Sequence, residues 1–391
     1  MYLQIQCTIE NGFYKIDEKG KFVTLTQFLA VIIEKKASDL FLVVGAKANI
    51  RVSGKLLPIS EESLSVEEVS SLVFSSMNAR QKLEFENTQE CNFAVSTEQG
   101  RFRVSAYFQR GTPAMVVRRI HTQIPSMESL QLPNILKELA LSKRGLILFV
   151  GATGTGKTTS LASLIDYRNA NSAGHIITIE DPIEYMHEHK KSIITQREIS
   201  IDTESFENAL QNSLRQSPDV ILMGEIRNID VMRFGLTFAE TGQLCLATLH
   251  ANNADQALNR IINMFPVEYH VKLRLELSVN LKAIIAQQLV PAKNGNERRV
   301  ATEILTNTPL VSELISKGRF SEIKDVMKKS NNLGMQTFDQ SLYKLYLHGE
   351  ISYDAALSHA DSANDLRLMI KLSADTKIDT GVDDYQFSLQ D

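Results

Sequence analysis

At 391 residues the chain is longer than one hydrophobic core usually serves, so two domains with short appendages are expected. Hydrophobic residues at 43%, charged residues at 23% and a net charge of −4 fit a soluble globular protein and argue against nonspecific nucleic-acid binding. Cys7, Cys91 and Cys245 stand far apart, with no CxxC pair and no histidine at metal spacing, which argues against a structural zinc or a disulfide framework and fits a reducing cytoplasm.

Residues 1–23 mix polar and apolar types without a period and lack the basic flank and apolar core of a signal peptide, so they are expected to form an N-terminal extension. Residues 25–36 place Leu25, Phe28, Leu29, Ile32 and Ile33 at helical spacing. Two strands with glycine turns are expected at 39–45 and 48–54. A helix over 65–77 opens on the capping box Ser65-Val66-Glu67-Glu68. Three further strands at 93–95, 101–108 and 114–120 complete a small α+β domain over 24–121. Within it Arg101 and Arg103 alternate onto one strand face, and Arg118 lies on a plausible partner strand. The pattern fits two guanidiniums converging on an anion, and it equally fits a solvated basic face.

Residues 122–134, with Pro125 and Pro133, resemble a linker. Beyond it β and α alternate: strands at 146–150, 175–180, 219–224 and 243–249, helices at 205–215 and 230–240. That alternation implies a mainly parallel sheet covered on both faces. From about Thr308 the pattern turns helical, through 320–329, 336–347 and 361–372, and 373–391 is an acidic, unpatterned stretch expected to be disordered. Nowhere does an apolar run approach the roughly 18 residues of a membrane span, so any membrane contact is expected to be peripheral.

The strongest local signal is Gly151-Ala152-Thr153-Gly154-Thr155-Gly156-Lys157-Thr158-Thr159, directly behind the apolar run Leu146-Ile147-Leu148-Phe149-Val150. It matches G-x-x-x-x-G-K-[ST] without a gap, in the strand–loop–helix order that a phosphate loop requires. Lys157 is placed for the β- and γ-phosphates of ATP, and Thr158 is the expected Mg²⁺ ligand. Ile179-Glu180-Asp181-Pro182-Ile183-Glu184 ends a strand in acids able to polarise water or hold metal-bound water, though a surface acidic turn reads the same way. Val220-Ile221-Leu222-Met223-Gly224-Glu225 is Walker-B-like, with Gly224 where an aspartate usually stands. Glu225 is then the remaining carboxylate, either orienting the attacking water or pairing with Arg227. Thr248-Leu249-His250 puts an imidazole at the next strand end, as a γ-phosphate sensor or a structural group. The run 281–289 reads as a buried strand with a polar end.

Ala37-Ser38-Asp39-Leu40, Gly100-Arg101-Phe102-Arg103-Val104, the phosphate loop, Ile179 to Glu184, Gly224-Glu225-Ile226-Arg227 and Ala247-Thr248-Leu249-His250 together resemble the secretion-superfamily hexameric ATPases. Within them the chain resembles the type IV pilus retraction ATPases, the PilT/PilU family, over about residues 24–372. The pair Leu40-Phe41, the run Ala283-Ile284-Ile285-Ala286-Gln287 and the acidic tail lean toward the PilU branch. The resemblance implies an α/β fold: a RecA-like P-loop core over 135–372 and a smaller PAS-like N-terminal domain. It further implies a homo-hexamer that hydrolyses ATP with Mg²⁺ to drive pilus retraction. The implied site is cytoplasmic, at the inner membrane, acting on the platform protein PilC beside a PilT-like paralogue. Glu180 and Glu184 match the family's Asp box, Glu225 its Walker B glutamate and His250 its His box. Arg103 and Arg118 match arginines that reach the nucleotide. Gln243 and Asn228 depart from the family's usual His and Asp, and 1–21 has no counterpart. The rival readings are an extension or type II secretion ATPase, which usually adds a longer N-terminal region and a tetracysteine zinc site, and an assembly scaffold with little turnover.

Overall fold

The structure of the chain is a computed structural model that describes residues 8–10, 13–15, 24–97, 100–120, 123–295 and 297–379. It divides into two bodies. The first takes the chain up to Ile124 together with Pro182–His187 and Glu198–Glu204; the second takes Pro125–Asp181, Glu188–Arg197 and the chain from Ser205 onward.

The first body begins with a hairpin, β1 (Thr8–Glu10) and β2 (Phe13–Lys15), inside the stretch expected to be an unpatterned extension. The rest of that extension, and His121 and Thr122, lie outside the described residues. There follow α1 (Leu25–Glu34), β3 (Asp39–Val43), β4 (Lys47–Val52), β5 (Lys55–Ser63), α2 (Val66–Ser75), α3 (Ala79–Thr88), β6 (Glu90–Thr97), β7 (Gly100–Gln109) and β8 (Thr112–Arg119). Six strands form one sheet in the order β5-β4-β3-β8-β7-β6, antiparallel throughout. Helices α1 and α2 enter through capping boxes, Thr24 with Gln27 and Ser65 with Glu68, which satisfy the first free amides of each helix. Phe28, Leu29 and Ile32 of α1, Val69 and Val73 of α2 and Phe85 of α3 then share one core with Leu40, Ile50, Phe102 and Val117 of the sheet. Strand β5 and helix α3 carry weak patterns for a physical reason: Leu56 and Leu57 are exposed around Pro58, and α3 buries only Phe85.

The second body contains α4 (Ile135–Ala140), β9 (Gly145–Val150), α5 (Lys157–Asn171), β10 (Gly174–Glu180), β11 (Ser192–Glu198), α6 (Phe206–Ser213), β12 (Val220–Met223), α7 (Ile229–Glu240) and β13 (Leu244–Leu249). It continues through α8 (Ala254–Met264), α9 (His270–Asn280), β14 (Leu281–Pro291) and β15 (Arg298–Thr306). It closes with α10 (Pro309–Lys317), α11 (Ile323–Lys329), α12 (Phe338–Leu347), α13 (Tyr353–His359) and α14 (Ala363–Asp379). Its sheet runs β11-β10-β12-β13-β9-β14-β15. The pairs β10–β12, β12–β13, β13–β9 and β9–β14 are parallel, and β14–β15 is antiparallel. Every residue of β9, β12 and β13 is buried, as strands covered by helices on both faces must be. Met127 and Leu132, from the proline-bounded stretch read as a linker, are buried in this core. Helix α14 runs to Asp379, so 373–379, expected to be disordered, are helical; 380–391 lie outside the described residues.

Cys91 and Cys245 are free and buried, and burial pushes both thiols up, Cys91 to about 11. Neither is a ready nucleophile. Among the described residues no helix is long and apolar enough to cross a membrane.

Candidate active site

In a parallel sheet the C-terminal ends of neighbouring strands open on one edge, where loops converge. Here β9 ends at the phosphate loop, β10 at Glu180, β12 at Gly224-Glu225 and β13 at His250. Adjacency in the sheet therefore gathers four segments that lie up to a hundred residues apart.

The loop itself is held by its glycines and by β14. Gly151 has φ +153°, and a Cβ there would sit 2.6 Å from the Gln287 carbonyl oxygen and 2.7 Å from Thr155 Oγ1. Gly156, at φ +85°, caps α5, and its Cβ would meet the Gln287 amide at 2.9 Å. A Cβ is sterically blocked by backbone at Gly151, and at Gly156 the positive φ strains any side chain. Gln287 reaches across from β14: its Nε2 donates to the Thr155 carbonyl at 2.8 Å, and its Oε1 accepts from Ser160 Oγ at 2.8 Å. Lys157 is buried, and its ammonium donates to the Gly151 and Ala152 carbonyls at 2.8 Å each, folding back over its own loop. Helix α5 has no acidic residue in its first turn, leaving an N-terminus suited to an anion. Thr158 stands in that turn, with Thr153, Gly154 and Thr159 completing the loop.

Facing the loop edge is a charged chain. Glu225 accepts from Arg227 Nε at 3.0 Å through one oxygen, and its other lies 3.2 Å from His250 Nε2. Arg227 also donates to Asp181 at 3.1 Å, and His250 Nδ1 lies 3.4 Å from the Gly151 carbonyl. Hydrogen bonding to Glu225 raises the Arg227 pKa, against a smaller opposing effect of burial, so the guanidinium stays charged. Glu225 and Arg227 thus do pair, and the pair is tied to the loop through His250. Glu180 is buried and accepts from Thr178 Oγ1 at 2.6 Å and from Gln196 Nε2 at 3.2 Å.

The departures at 224, 228 and 243 have local explanations. A Cβ on Gly224 would lie 3.1 Å from the Ile179 carbonyl and 3.4 Å from Glu180 Cα, because β12 runs close against the end of β10. An aspartate would press on the strand that carries Glu180. Asn228 caps α7, accepting from the Val231 amide at 2.9 Å, a task in which Asn equals Asp. Gln243 precedes the first residue of β13 and accepts from Thr241 Oγ1 at 2.6 Å, at the strand end opposite His250.

The remaining candidates lie in the first body. Arg103 and Arg118 are direct cross-strand partners on β7 and β8. Arg118 donates through Nε to the buried Asp39 at 2.8 Å, with its side chain 69% exposed. The buried Glu198 lies 3.9 Å from Arg101; burial raises its carboxyl pKa, and Arg103 is the largest influence lowering it. Glu184 falls in Pro182–His187, so the two expected Asp-box glutamates belong to different bodies. Sequence reasoning passed over Gln287, Ser160, Thr178 and Gln196 as site residues, and read Asp181 only as one of three acids rather than as the partner of Arg227. The available signal was a glutamine breaking the apolar run of β14.

The sequence profile of a family described as "Type II/IV secretion system protein" matches residues 17–343. The chain is 56% identical over 354 residues to "Type IV pilus ATPase PilU" of Pseudomonas aeruginosa, covering 90% of this chain and 93% of that one. It is 38% identical over 337 residues to "Type IV pilus retractation ATPase PilT" of the same organism, covering 86% and 98%. A crystal structure of the pilus retraction motor PilT with bound ADP superposes with a TM-score of 0.83 at 37% identity, covering 89% of this chain and all of that one.

Proposed function

The chain belongs to the type II/IV secretion system protein family, and from that premise we propose that it is a Mg²⁺-dependent ATPase that powers type IV pilus retraction in the manner of PilU. The observation that carries the reading is the loop-edge chain Asp181–Arg227–Glu225–His250–Gly151, in which His250 ties a Walker-B carboxylate to the phosphate loop and Arg227 ties it to Asp181. The near full-length match to two pilus ATPases supplies the biological setting.

The proposed chemistry follows from the residues in place. Amides of 151–159 and the α5 N-terminus cradle the nucleotide phosphates, and Lys157 turns from the Gly151 and Ala152 carbonyls to the γ-phosphate. Glu225 orients the attacking water, with His250 holding one of its oxygens toward the loop. Among the described residues no three His, Cys, Asp or Glu side chains are arranged to hold a metal. A Mg²⁺ would be held by Thr158 and the phosphates, with Glu180 and Glu184 the acids proposed for its waters, since Mg²⁺ keeps several waters in such sites. The ion would neutralise charge developing on the transferred phosphoryl group. Arg103 and Arg118 complete the site as phosphate-binding guanidiniums. The active form is a homo-hexamer working on PilC at the cytoplasmic side of the inner membrane, alongside a PilT-like paralogue.

Steady-state phosphate release by the purified full-length chain tests the enzyme, and pilus retraction in single and double deletions of the two paralogous ATPases tests the role. Turnover that is absent, with retraction unchanged in every deletion, would leave only an assembly scaffold.

A further inference from the structure

His250 stands at the end of β13, three residues before the N-cap Asn253 of α8. The placement of its ring depends on how that short turn is fixed. At a helix start the first amides have no intrahelical acceptor. Asn253 Oδ1 accepts from the Gln256 amide at 2.9 Å, and the Gln256 side chain accepts from the Asn252 amide at 3.2 Å. The Ala254 amide is taken by a residue from far along the chain: Glu303 of β15, whose carboxylate accepts it at 2.8 Å. Glu303 is 3% exposed, and its neighbours are fixed in turn. Lys324 of α11 pairs with Asp361 at 2.7 Å, and Asp339 of α12 accepts from the Asp361 and Ser362 amides at 2.9 and 3.4 Å. On the other side, Glu303 pairs across strands with Ala286, beside the Gln287 that clamps the phosphate loop.

We infer that Glu303 is a positioning residue for hydrolysis, which sets the His250 turn against the phosphate loop by anchoring the first turn of α8 to β15. Strands β14 and β15 then hold the two halves of the site together, Gln287 gripping the loop and Glu303 gripping the turn that follows His250. A buried carboxylate is a costly way to satisfy one amide unless its position matters, because a neutral acceptor would meet the same need. Burial raises the Glu303 carboxyl to about 7, the Ala254 amide and Lys324 opposing and Asp361 and Asp339 reinforcing that shift. The anchor therefore changes from a neutral to a charge-assisted acceptor near neutral pH.

The inference rests on the ATPase reading, and the test separates the two. The full-length chain is compared as wild type, Glu303→Gln, which keeps an acceptor but cannot titrate, and Glu303→Ala, which has none. Hydrogen exchange of the 250–258 backbone, read without nucleotide, is expected to quicken about tenfold in Glu303→Ala and to stay near wild type in Glu303→Gln. In the ATPase assay kcat is expected to fall about tenfold in Glu303→Ala with KM for ATP within about twofold, and to be restored in Glu303→Gln. The ratio of wild-type to Glu303→Gln kcat is expected to rise about threefold between pH 6 and 8, as the charged anchor forms. An active wild type with unchanged exchange and kcat in Glu303→Ala overturns the inference. So does an equal loss in both variants, which marks a structural residue only. A wild type with no turnover strikes instead at the ATPase reading, while the exchange measurement still decides whether Glu303 anchors the turn.

Discussion

Lys157 holds two backbone carbonyls of its own loop, and under the proposed function the same ammonium turns to the γ-phosphate. Lys157→Ala is therefore expected to abolish phosphate release while circular dichroism stays that of a folded chain; turnover within about threefold of wild type would remove the motor reading. Glu225 has its two oxygens divided between Arg227 and His250. Glu225→Gln keeps the shape but not the charge, so kcat should drop by about 10²–10⁴ with ATP affinity little changed. Equal losses of binding and turnover would instead make Glu225 a partner of Arg227 alone. Glu303 adds a pH signature to stability. Its folded pKa of about 7 lies above the ordinary 4.5, so between those values the folded state binds more protons than the unfolded one. Stability then declines as pH rises through that window, by about 3 kcal/mol if the whole shift is expressed. Asp339, also raised by burial, adds in the same direction. Thermal melts from pH 5 to 8 should show wild type losing stability faster than Glu303→Gln.

At the level of elements, what the sequence makes visible is what repeats or punctuates. Buried strands β9, β12 and β13 announce themselves as apolar runs, the phosphate loop by its glycines, and α2 by its capping box. Elements that bury little on either face, such as β5 and α3, carry no such period. The pairing of β14 with β9 is also invisible, since parallel neighbours are set by tertiary packing rather than by any local signal. For that reason Gln287 reads as the polar end of a strand although it clamps the loop. Gln287→Ala strips the Thr155 carbonyl and the Ser160 hydroxyl of their partner in a buried setting, at a cost of about 1–3 kcal/mol. Because those groups lie in the loop and the first turn of the helix behind it, the loss should fall on nucleotide binding as well: ADP affinity measured by calorimetry is expected to weaken about tenfold, and unchanged affinity would show that the glycine backbone alone shapes the loop.

For the whole molecule, the chain visits the first body again after leaving it, at Pro182–His187 and Glu198–Glu204, between strands of the second. Those excursions were not legible, because they carry no boundary of composition; only the contacts of the folded chain assign them. They put Glu184 and Glu198 in the same body as Arg103 and Arg118. The two arginines face each other across β7 and β8, so one anion can be met from both strands. Asp39 engages Nε of Arg118 and orients a side chain that remains largely exposed, while Glu198 supplies negative charge near Arg103. Under the proposed function these arginines would exchange a carboxylate for a phosphate, a switch by which nucleotide binding can be turned into movement. Arg103→Ala and Arg118→Ala are each expected to keep ATP binding and lose turnover, by up to about the 10³-fold seen for the weaker arginine fingers. Mixing Lys157→Ala with Arg118→Ala protein then asks whose site each arginine serves. Recovered hydrolysis requires Arg118 of one chain to complete the phosphate loop of another; no recovery, with both single variants inactive, keeps the arginine with its own loop. Unchanged hydrolysis in both arginine variants would leave the nucleotide site to the second body alone and remove the coupling.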